Sequence, residues 1–463
     1  MLRFLLLAAL AAPAGAQGTR TFAVNQGNVS DGNGSVTALP LSLDDPATQL
    51  YEGQLGSILQ SATQIRDRLY LVASSANRIE VVDAETRERV GLIGGGDASP
   101  FSSPRYLEVD AFGQRGAYVS NQVYFGGDLS YVLPLALSGD GGTTSDPIPV
   151  DGLPEGMTLV GDSLYVALGT FGPGNGGVDS LAVVDARQNT LAGYLDIDCF
   201  ARFVAPDLSN DVVLAFCEDT DELVVIDTAT RSVRQRAAFN EEIGDPSGVG
   251  KTVAPGRVPV AVRRAGPFAD SYLVITASGV AEVGIVSRDG QYGVERTVTI
   301  PDADTRPISA VGAAGGFRYL YLGRPDPDNP FSADGTITVH DYDDGTLLAT
   351  YPAGIYPVQI PLDEFFGTAA EQEATAAALG LALAGPNPAR GATALAFTLR
   401  QPEAARVTVH DLLGRTVATV ADRAFGAGDQ RVELDASGLA PGPYRVRLAV
   451  GERVASLPLT VVR

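Results

Sequence analysis

Leu164-Tyr165-Val166-Ala167, a glycine-rich turn, Ser180-Leu181-Ala182-Val183-Val184-Asp185, a short polar turn and Ala192-Gly193-Tyr194-Leu195: residues 162–195 read as three short strands joined by tight turns. Apolar, β-branched and aromatic residues fall in short runs bounded by Gly, Asn and Asp, as they do in sheet strands and their hairpins. The first strand of this unit recurs around Phe22, Tyr70, Tyr118, Val213, Tyr272 and Tyr321. With Tyr165 these make seven anchors, spaced 48, 48, 47, 48, 59 and 49 residues apart. A repeat of about 40 to 50 residues carrying several strands is one blade, because a single small sheet cannot bury both faces and must stack on neighbours around a ring.

A further apolar strand precedes the anchors, opened by Ser103-Pro104-Arg105, Leu153-Pro154-Glu155, Val258-Pro259-Val260 or Arg306-Pro307-Ile308, with weaker versions near Gly56 and Ala201. These are expected to be the innermost strands. Phe22 has no such strand ahead of it, whereas a spare copy, Tyr356-Pro357-Val358-Gln359-Ile360, follows the last anchor. Residues 355–362 are therefore expected to complete the sheet begun by residues 21–43, closing the ring and removing open edges. The fold class is all-β: a seven-bladed β-propeller over residues 18–362, a linker at 363–384, and a small C-terminal Ig-like β-sandwich over 385–463, with strands at 394–399, 406–410, 431–434, 444–450 and 456–461. The longest interval between anchors holds residues 240–256, read as a surface loop.

The 53 glycines and 29 prolines of the 463 residues suit such a turn-rich protein. Arg3, the apolar run 4–10 and Ala14-Gly15-Ala16 have the sections of a secretory signal peptide, with cleavage expected after residue 16. No Cys follows that point closely, which argues against a lipid anchor. The formal charge of −22 excludes nucleic acid as a natural partner and disfavours anionic membrane surfaces. Cys199 and Cys217, the sole cysteines, flank a turn near residue 208 and are expected to face each other across a hairpin as a disulfide.

Catalytic candidates are few. His340 and His410 are the only histidines, so neither a Ser-His-Asp arrangement nor a His-rich metal site can be assembled. The pairs Asp302 with Asp304 and Asp326 with Asp328 lie in Pro- and Gly-rich loops and read as solvated turns, as do Asp83, Asp185 and Asp227, each placed to cap its own turn. Residues 25–35 offer oxygen donors suited to Ca²⁺ but without EF-hand spacing, and read as loop chemistry. No catalytic residue, metal or cofactor is assigned.

In a propeller, the loops entering the inner strands and those leaving the anchor strands open on one face. That face is expected to gather Arg105, Glu155, Arg202 and Arg306 from the inner-strand starts, with Asn25, Asn28, Asn77, Asn121, Tyr124, Phe125, Phe171, Arg324 and Phe331 from the intervening loops. Arginines and aromatics around one mouth suit a ligand with planar apolar and anionic or amide parts. The alternative open at this point is that the arginines pair with carboxylates between blades.

Two resemblances add to this. The C-terminal segment, with Pro386-Asn387-Pro388, the run Val407-Thr408-Val409-His410-Asp411-Leu412-Leu413-Gly414-Arg415, Gly428, Leu434-Asp435, Leu439 and Gly442-Pro443-Tyr444-Arg445-Val446, resembles the type A sorting domain of the type IX secretion system of Bacteroidota. It implies export through both membranes, recognition of residues 385–463 by that machinery, and release or surface attachment. The stretches Val24-Asn25-Gln26-Gly27-Asn28, Gly32-Asn33-Gly34-Ser35-Val36, Leu59-Gln60-Ser61, Asn77-Arg78-Ile79-Glu80-Val81-Val82-Asp83, Ser103-Pro104-Arg105-Tyr106 and Pro154-Glu155-Gly156-Met157 resemble YncE-like surface propellers of Bacteroidota. Some of that group, the BtuG type, cap a TonB-dependent transporter and capture cobalamin. The resemblance implies a non-enzymatic surface protein binding a small molecule or nutrient, a corrinoid among the options, or else a protein-protein scaffold.

Overall fold

The computed structural model describes residues 19–40, 42–65, 68–84, 86–109, 116–124, 129–138, 140–169, 179–206, 212–239, 260–263, 270–276, 278–285, 291–303, 305–314, 319–360, 379–399, 401–410, 416–450 and 453–462. The expected signal peptide, the 240–256 loop, Phe125, Phe171 and Asp304 lie outside them.

Seven antiparallel sheets follow one another along residues 19–360. Blade 1 is built from Pro357–Gln359, Thr19–Asn25, Ser35–Pro40 and Thr48–Leu50, blade 2 from Leu59–Ile65, Arg68–Ala73, Arg78–Asp83 and Arg89–Gly94, and blade 3 from Pro104–Val109, Ala117–Asn121 and Ser130–Ser138, the last paired by both Gly141–Thr144 and Ile148–Val150. Blade 4 is Leu153–Val160, Ser163–Gly169, Ser180–Asp185 and Thr190–Asp196, and blade 5 is Ala201–Pro206, Val212–Cys217, Glu222–Asp227 and Ser232–Ala238. Blade 6 is Val260–Arg263, Asp270–Thr276, Gly279–Ile285 and Tyr292–Thr299, and blade 7 is Ala310–Ala314, Tyr319–Arg324, Asp334–Asp341 and Leu347–Ile355. Every anchor falls in the second strand of its blade, and the Pro-opened segments supply first strands.

Burial explains the sequence pattern. Ser180–Asp185, covered on both faces by neighbouring blades, is buried at four consecutive positions, so its apolar run does not alternate. Thr190–Asp196, on the blade's outer edge, alternates exposed with partly buried residues. The apolar cores lie between blades, one per boundary. The cluster of Tyr118, Val132, Leu159 and Val184 joins blades 3 and 4, and that of Ala23, Leu39, Tyr321, Ile337 and Ile360 joins blade 7 back to blade 1. Anchor tyrosines add polar ties across these boundaries: the Tyr118 hydroxyl donates to Ala186 O (3.1 Å) and Asn189 Oδ1 (2.8 Å) of blade 4.

Closure occurs where expected. Gln359 pairs with Val24 and Pro357 with Asn25, while Val358 is fully buried against Phe22 and Val24. The closing strand also touches its neighbours, since Gln359 Oε1 accepts from Ala62 N–H (2.7 Å) and Ser309 Oγ–H donates to Pro357 O (2.5 Å). Turn aspartates cap as read: Asp83 Oδ1 accepts from Thr86 N–H (2.8 Å), Asp185 Oδ1 from Arg187 N–H (2.8 Å) and Asp227 Oδ1 from Thr230 N–H (2.7 Å).

Cys199 and Cys217 form a disulfide with Cα atoms 5.7 Å apart. They are not directly opposite, as the symmetric reading required. The hairpin pairs Pro206 with Val213 and Phe203 with Phe216, which offsets the cysteines; a register irregularity between Ala201 and Phe203 then sets Cys217 opposite Ala201, from where it reaches Cys199 just ahead of the strand. The bridge spans 18 residues in sequence, and breaking it is expected to cost about 3 kcal/mol on the chain-entropy argument. Denaturant melts check this: wild type should weaken on reduction, and Cys199→Ala/Cys217→Ala should melt at the reduced wild-type midpoint with no response to reductant.

Downstream, Ala382–Leu383, Ala392–Leu399 and Gly428–Asp435 form one sheet, and Thr416–Phe425, Glu403–His410, Gly442–Val450 and Arg453–Val461 a second. Leu395, Phe397, Val407, Val446 and Leu448 are buried between them. Two corrections follow. The stretch expected as linker up to residue 384 is partly sandwich, because Leu379 and Leu381 enter this core and Ala382–Leu383 pairs with Ala392–Leu399. Thr416–Phe425, absent from the expected strands, lies at the end of its sheet; its small apolar residues Val417, Ala418, Val420 and Ala421 come in adjacent pairs, only partly buried, and so do not alternate.

Candidate functional site

Near the start of each inner strand in blades 2 to 5 stands a polar residue, second in the strand for Gln60, Arg105 and Arg202 and third for Glu155. Glu155 takes the Arg105 guanidinium in a fork, Oε2 accepting from Nε and Oε1 from Nη2, each at 3.1 Å. Arg105 Nη1 donates to Gln60 Oε1 (2.5 Å). On the other side Arg202 Nη1 lies 3.7 Å from Glu155 Oε1, and its Nε donates to Glu218 Oε1 (3.2 Å). The arc thus carries two cations and two carboxylates and crosses four blades, with every charged side chain nearly excluded from solvent.

Burial alone would lower the Arg105 pKa, but Glu155 outweighs it and the value rises. Arg202 shows the same balance, with Glu218 and then Glu155 overcoming burial. The phenol of Tyr106, packed edge-on to Phe203 at 5.4 Å, is raised by burial and by Glu155. Tyr124 donates to Gln122 Oε1, and Gln122 Nε2 donates to Pro154 O (3.2 Å), so this aromatic side chain is tied to the start of the next inner strand. Gly156 lets these strands approach, since a Cβ there would lie 2.6 Å from the Phe203 ring.

The structure therefore brings Arg105, Glu155, Arg202 and Tyr124 together and adds Gln60, Gln122 and Glu218, which the sequence reading left out. Gln60 could have been found from its register, equivalent to Arg105. Glu218 carries no such signal; it follows the second strand of blade 5 directly.

The asparagines are loop staples. Asn77 Oδ1 accepts from Ser103 N–H (2.8 Å), helping to hold Ser103 in its left-handed conformation (φ 40°) at the entry to blade 3. Asn121 Oδ1 accepts from Ser102 N–H (3.2 Å) and its Nδ2 donates to Val119 O (2.9 Å). Asn25 is buried in blade 1, donating to Ser35 Oγ (3.1 Å) and Thr37 Oγ1 (2.9 Å). Asn28 Nδ2 donates to Phe331 O (2.8 Å), joining the blade 1 and blade 7 loops, and Phe331 stacks on Tyr356 with centroids 4.7 Å apart.

Arg306 and Arg324 sit apart from the arc, at the boundary of blades 6 and 7, where both contact Asp302. Of the acidic residues weighed as catalysts, Asp302 is held below its ordinary pKa chiefly by Arg324, against the effect of burial, and Asp326 Oδ1 caps Asp328 and Asn329 N–H. His340 is buried with both ring nitrogens engaged, Nδ1 with Gly345 O (2.9 Å) and Nε2 with Thr338 Oγ1 (3.0 Å). Among the described residues no three of His, Cys, Asp and Glu converge as metal ligands, and no helix is long and apolar enough to cross a membrane.

Residues 385–459 match the family model of the secretion system C-terminal sorting domain. With that sorting domain the chain is an exported, cell-surface-directed β-propeller protein, engaged by the type IX machinery through its tail. No curated protein sequence matches it significantly. Among solved structures it is similar to the hydrazine synthase of Kuenenia stuttgartiensis, with TM-score 0.47, 15% identity, and 66% of this chain and 91% of that one covered. It is also similar to the β-propeller domain of Cps50 (Swd1) from Myceliophteria thermophila, with TM-score 0.49, 13% identity, and coverage of 73% and 92%. Both are distant in sequence, and the blade pairing described above defines the fold.

Proposed function

We propose that the propeller is a non-enzymatic surface binding module. It captures a small molecule or nutrient on the loop face at the channel mouth and passes it to a TonB-dependent outer-membrane receptor. One observation carries this reading. The contiguous polar arc Gln60–Arg105–Glu155–Arg202, whose members fix one another by hydrogen bonds and an ion pair, holds preorganised polar groups beside Tyr124. Because the arc neutralises itself, it suits a ligand rich in amides around a planar apolar body, and corrinoids are the leading class. Binding is favoured over catalysis by the commitment of both His340 nitrogens to hydrogen bonds within blade 7.

A protein-protein scaffold is the second reading. It is favoured by Val29 (68% exposed) and Leu129 (55%), apolar residues on blade 1 and blade 3 loops of the same face. Thermal melts with corrinoids, haem and sugars test the first reading, since ligand at a hundredfold excess over its Kd adds about 2.7 kcal/mol of stability. A raised melting temperature with one class is the expected result. No response to any of them, together with retention of a partner from outer-membrane extracts, would replace capture with the scaffold.

A further inference from the structure

In blade 2 two arginines share one carboxylate, Arg78 and Arg89 both meeting the buried Glu80 at 2.7 Å. At the boundary of blades 6 and 7 Arg306 and Arg324 likewise share the carboxylate of Asp302, which is itself partly exposed. Arg324 ends the second strand of blade 7, a position held by Asn25, Ala73, Asn121, Gly169, Cys217 and Thr276 in the other blades, none of them charged.

The Arg324 side chain is 0% exposed, and among the described residues its Nη2 is the one guanidinium nitrogen with a partner, Asp302 Oδ1. Its Nε and Nη1 are buried with no hydrogen-bond partner among the described residues. A guanidinium carries five N–H donors, and buried donors are ordinarily satisfied. The neighbours of Arg324 are partly exposed, Arg306 by 38% and Asp302 by 41%. Arg306 Nη2 donates to Thr336 Oγ1 (3.1 Å), which leaves the Thr336 hydroxyl proton available to a ligand. Burial lowers the Arg324 pKa, Asp302 only partly restores it, and the neighbouring Arg306 charge adds a smaller lowering.

We propose that Arg324 and Arg306, with the Thr336 hydroxyl, form a receptor for a small oxyanion, the phosphate or carboxylate group of a molecule held on the loop face. This rests on the reading of that face as a binding surface and adds the charge carried by its occupant. The oxyanion takes donors that Asp302 leaves unused on the buried guanidinium and bridges it to the exposed one. Selectivity for small anions follows from the surroundings, as a chain of net charge −22 repels polyanions at long range.

Calorimetric titration of the full chain with inorganic phosphate and, separately, with acetate tests this, at ionic strength held constant with chloride. Saturable binding of one or both is expected; saturation by phosphate alone assigns a phosphate group, by acetate alone a carboxylate. Arg306→Gln, partly exposed and expected to keep the wild-type melt, should weaken binding about ten- to hundredfold, the range for a hydrogen bond to a charged group. Asp302→Asn should tighten it by removing the competing carboxylate. Unsaturable heats, or equal affinity in wild type and both variants, would overturn the receptor and leave Arg324 solvated by water. Capture of an organic ligand with unchanged affinity in Arg306→Gln would overturn this inference alone, whereas oxyanion saturation without any organic ligand would support it and remove the capture reading.

Discussion

Glu155→Ala is expected to destabilise the propeller by about 3–5 kcal/mol, the cost of leaving a buried ion pair without one partner. Two cations lose their shared carboxylate. Arg105 loses both arms of its fork and keeps only Gln60, while Arg202 keeps Glu218. Because blades 3, 4 and 5 each contribute one member, the damage should spread over two blade boundaries. Glu155→Gln retains the shape and one acceptor and should lose less. The double variant Glu155→Ala/Arg105→Met removes one stranded charge and should recover part of the loss, a coupling that a double-mutant cycle in urea would read directly. A cost below about 1 kcal/mol for Glu155→Ala, the range of exposed pairs, would mean that water reaches the arc and that its rigidity is not a basis for ligand preorganisation.

That arc also marks where the sequence stops being informative. Blade number and order were legible because each blade is a local unit, its strands joined by turns whose Asp, Asn and Gly announce themselves within a few residues. The closing strand was legible as a surplus copy, Tyr356-Pro357-Val358, whose only open place was beside Phe22. Pairing across blades leaves less trace: Glu155 was picked out by its place at an inner-strand start, but Arg105, its partner, is 50 residues away, and nothing in the 55 acidic residues singles out Glu218 until the strands are in register. Asn77 and Asn121 looked like ligand contacts for the same reason, since a staple to a backbone N–H on another loop is invisible along the chain. The offset of the cysteine pair comes from the hairpin register, in which Pro206 faces Val213 and Phe203 faces Phe216; the irregularity before Phe203 brings Cys217 one residue nearer to Cys199 and has no residue signature at Ala201 or Arg202.

Val358→Asp should have the largest effect of all, because it strikes the one sheet assembled from both ends of the repeat. Val358 is fully buried against Phe22, Val24 and Leu71. A carboxylate there meets no cation in that apolar cluster, and the strand it sits on is held to Thr19–Asn25 by only two register pairs. The expected outcome is release of the closing strand. Blade 1 would then expose the free edge of Thr19–Asn25, a template for pairing with another chain, and the variant should elute as oligomers on size exclusion with light scattering and be cut by protease near residue 357. Val358→Ala isolates packing from charge: it should cost about 2 kcal/mol as a large-to-small core change and keep the wild-type elution volume with a single, earlier melt. A Val358→Asp variant with the wild-type elution volume and midpoint would show that the ring closes by other contacts. The candidates are Gln359 with Ala62 and Ile360 within the blade 7–blade 1 core, and the closing strand would then be an accessory to the ring and not its clasp.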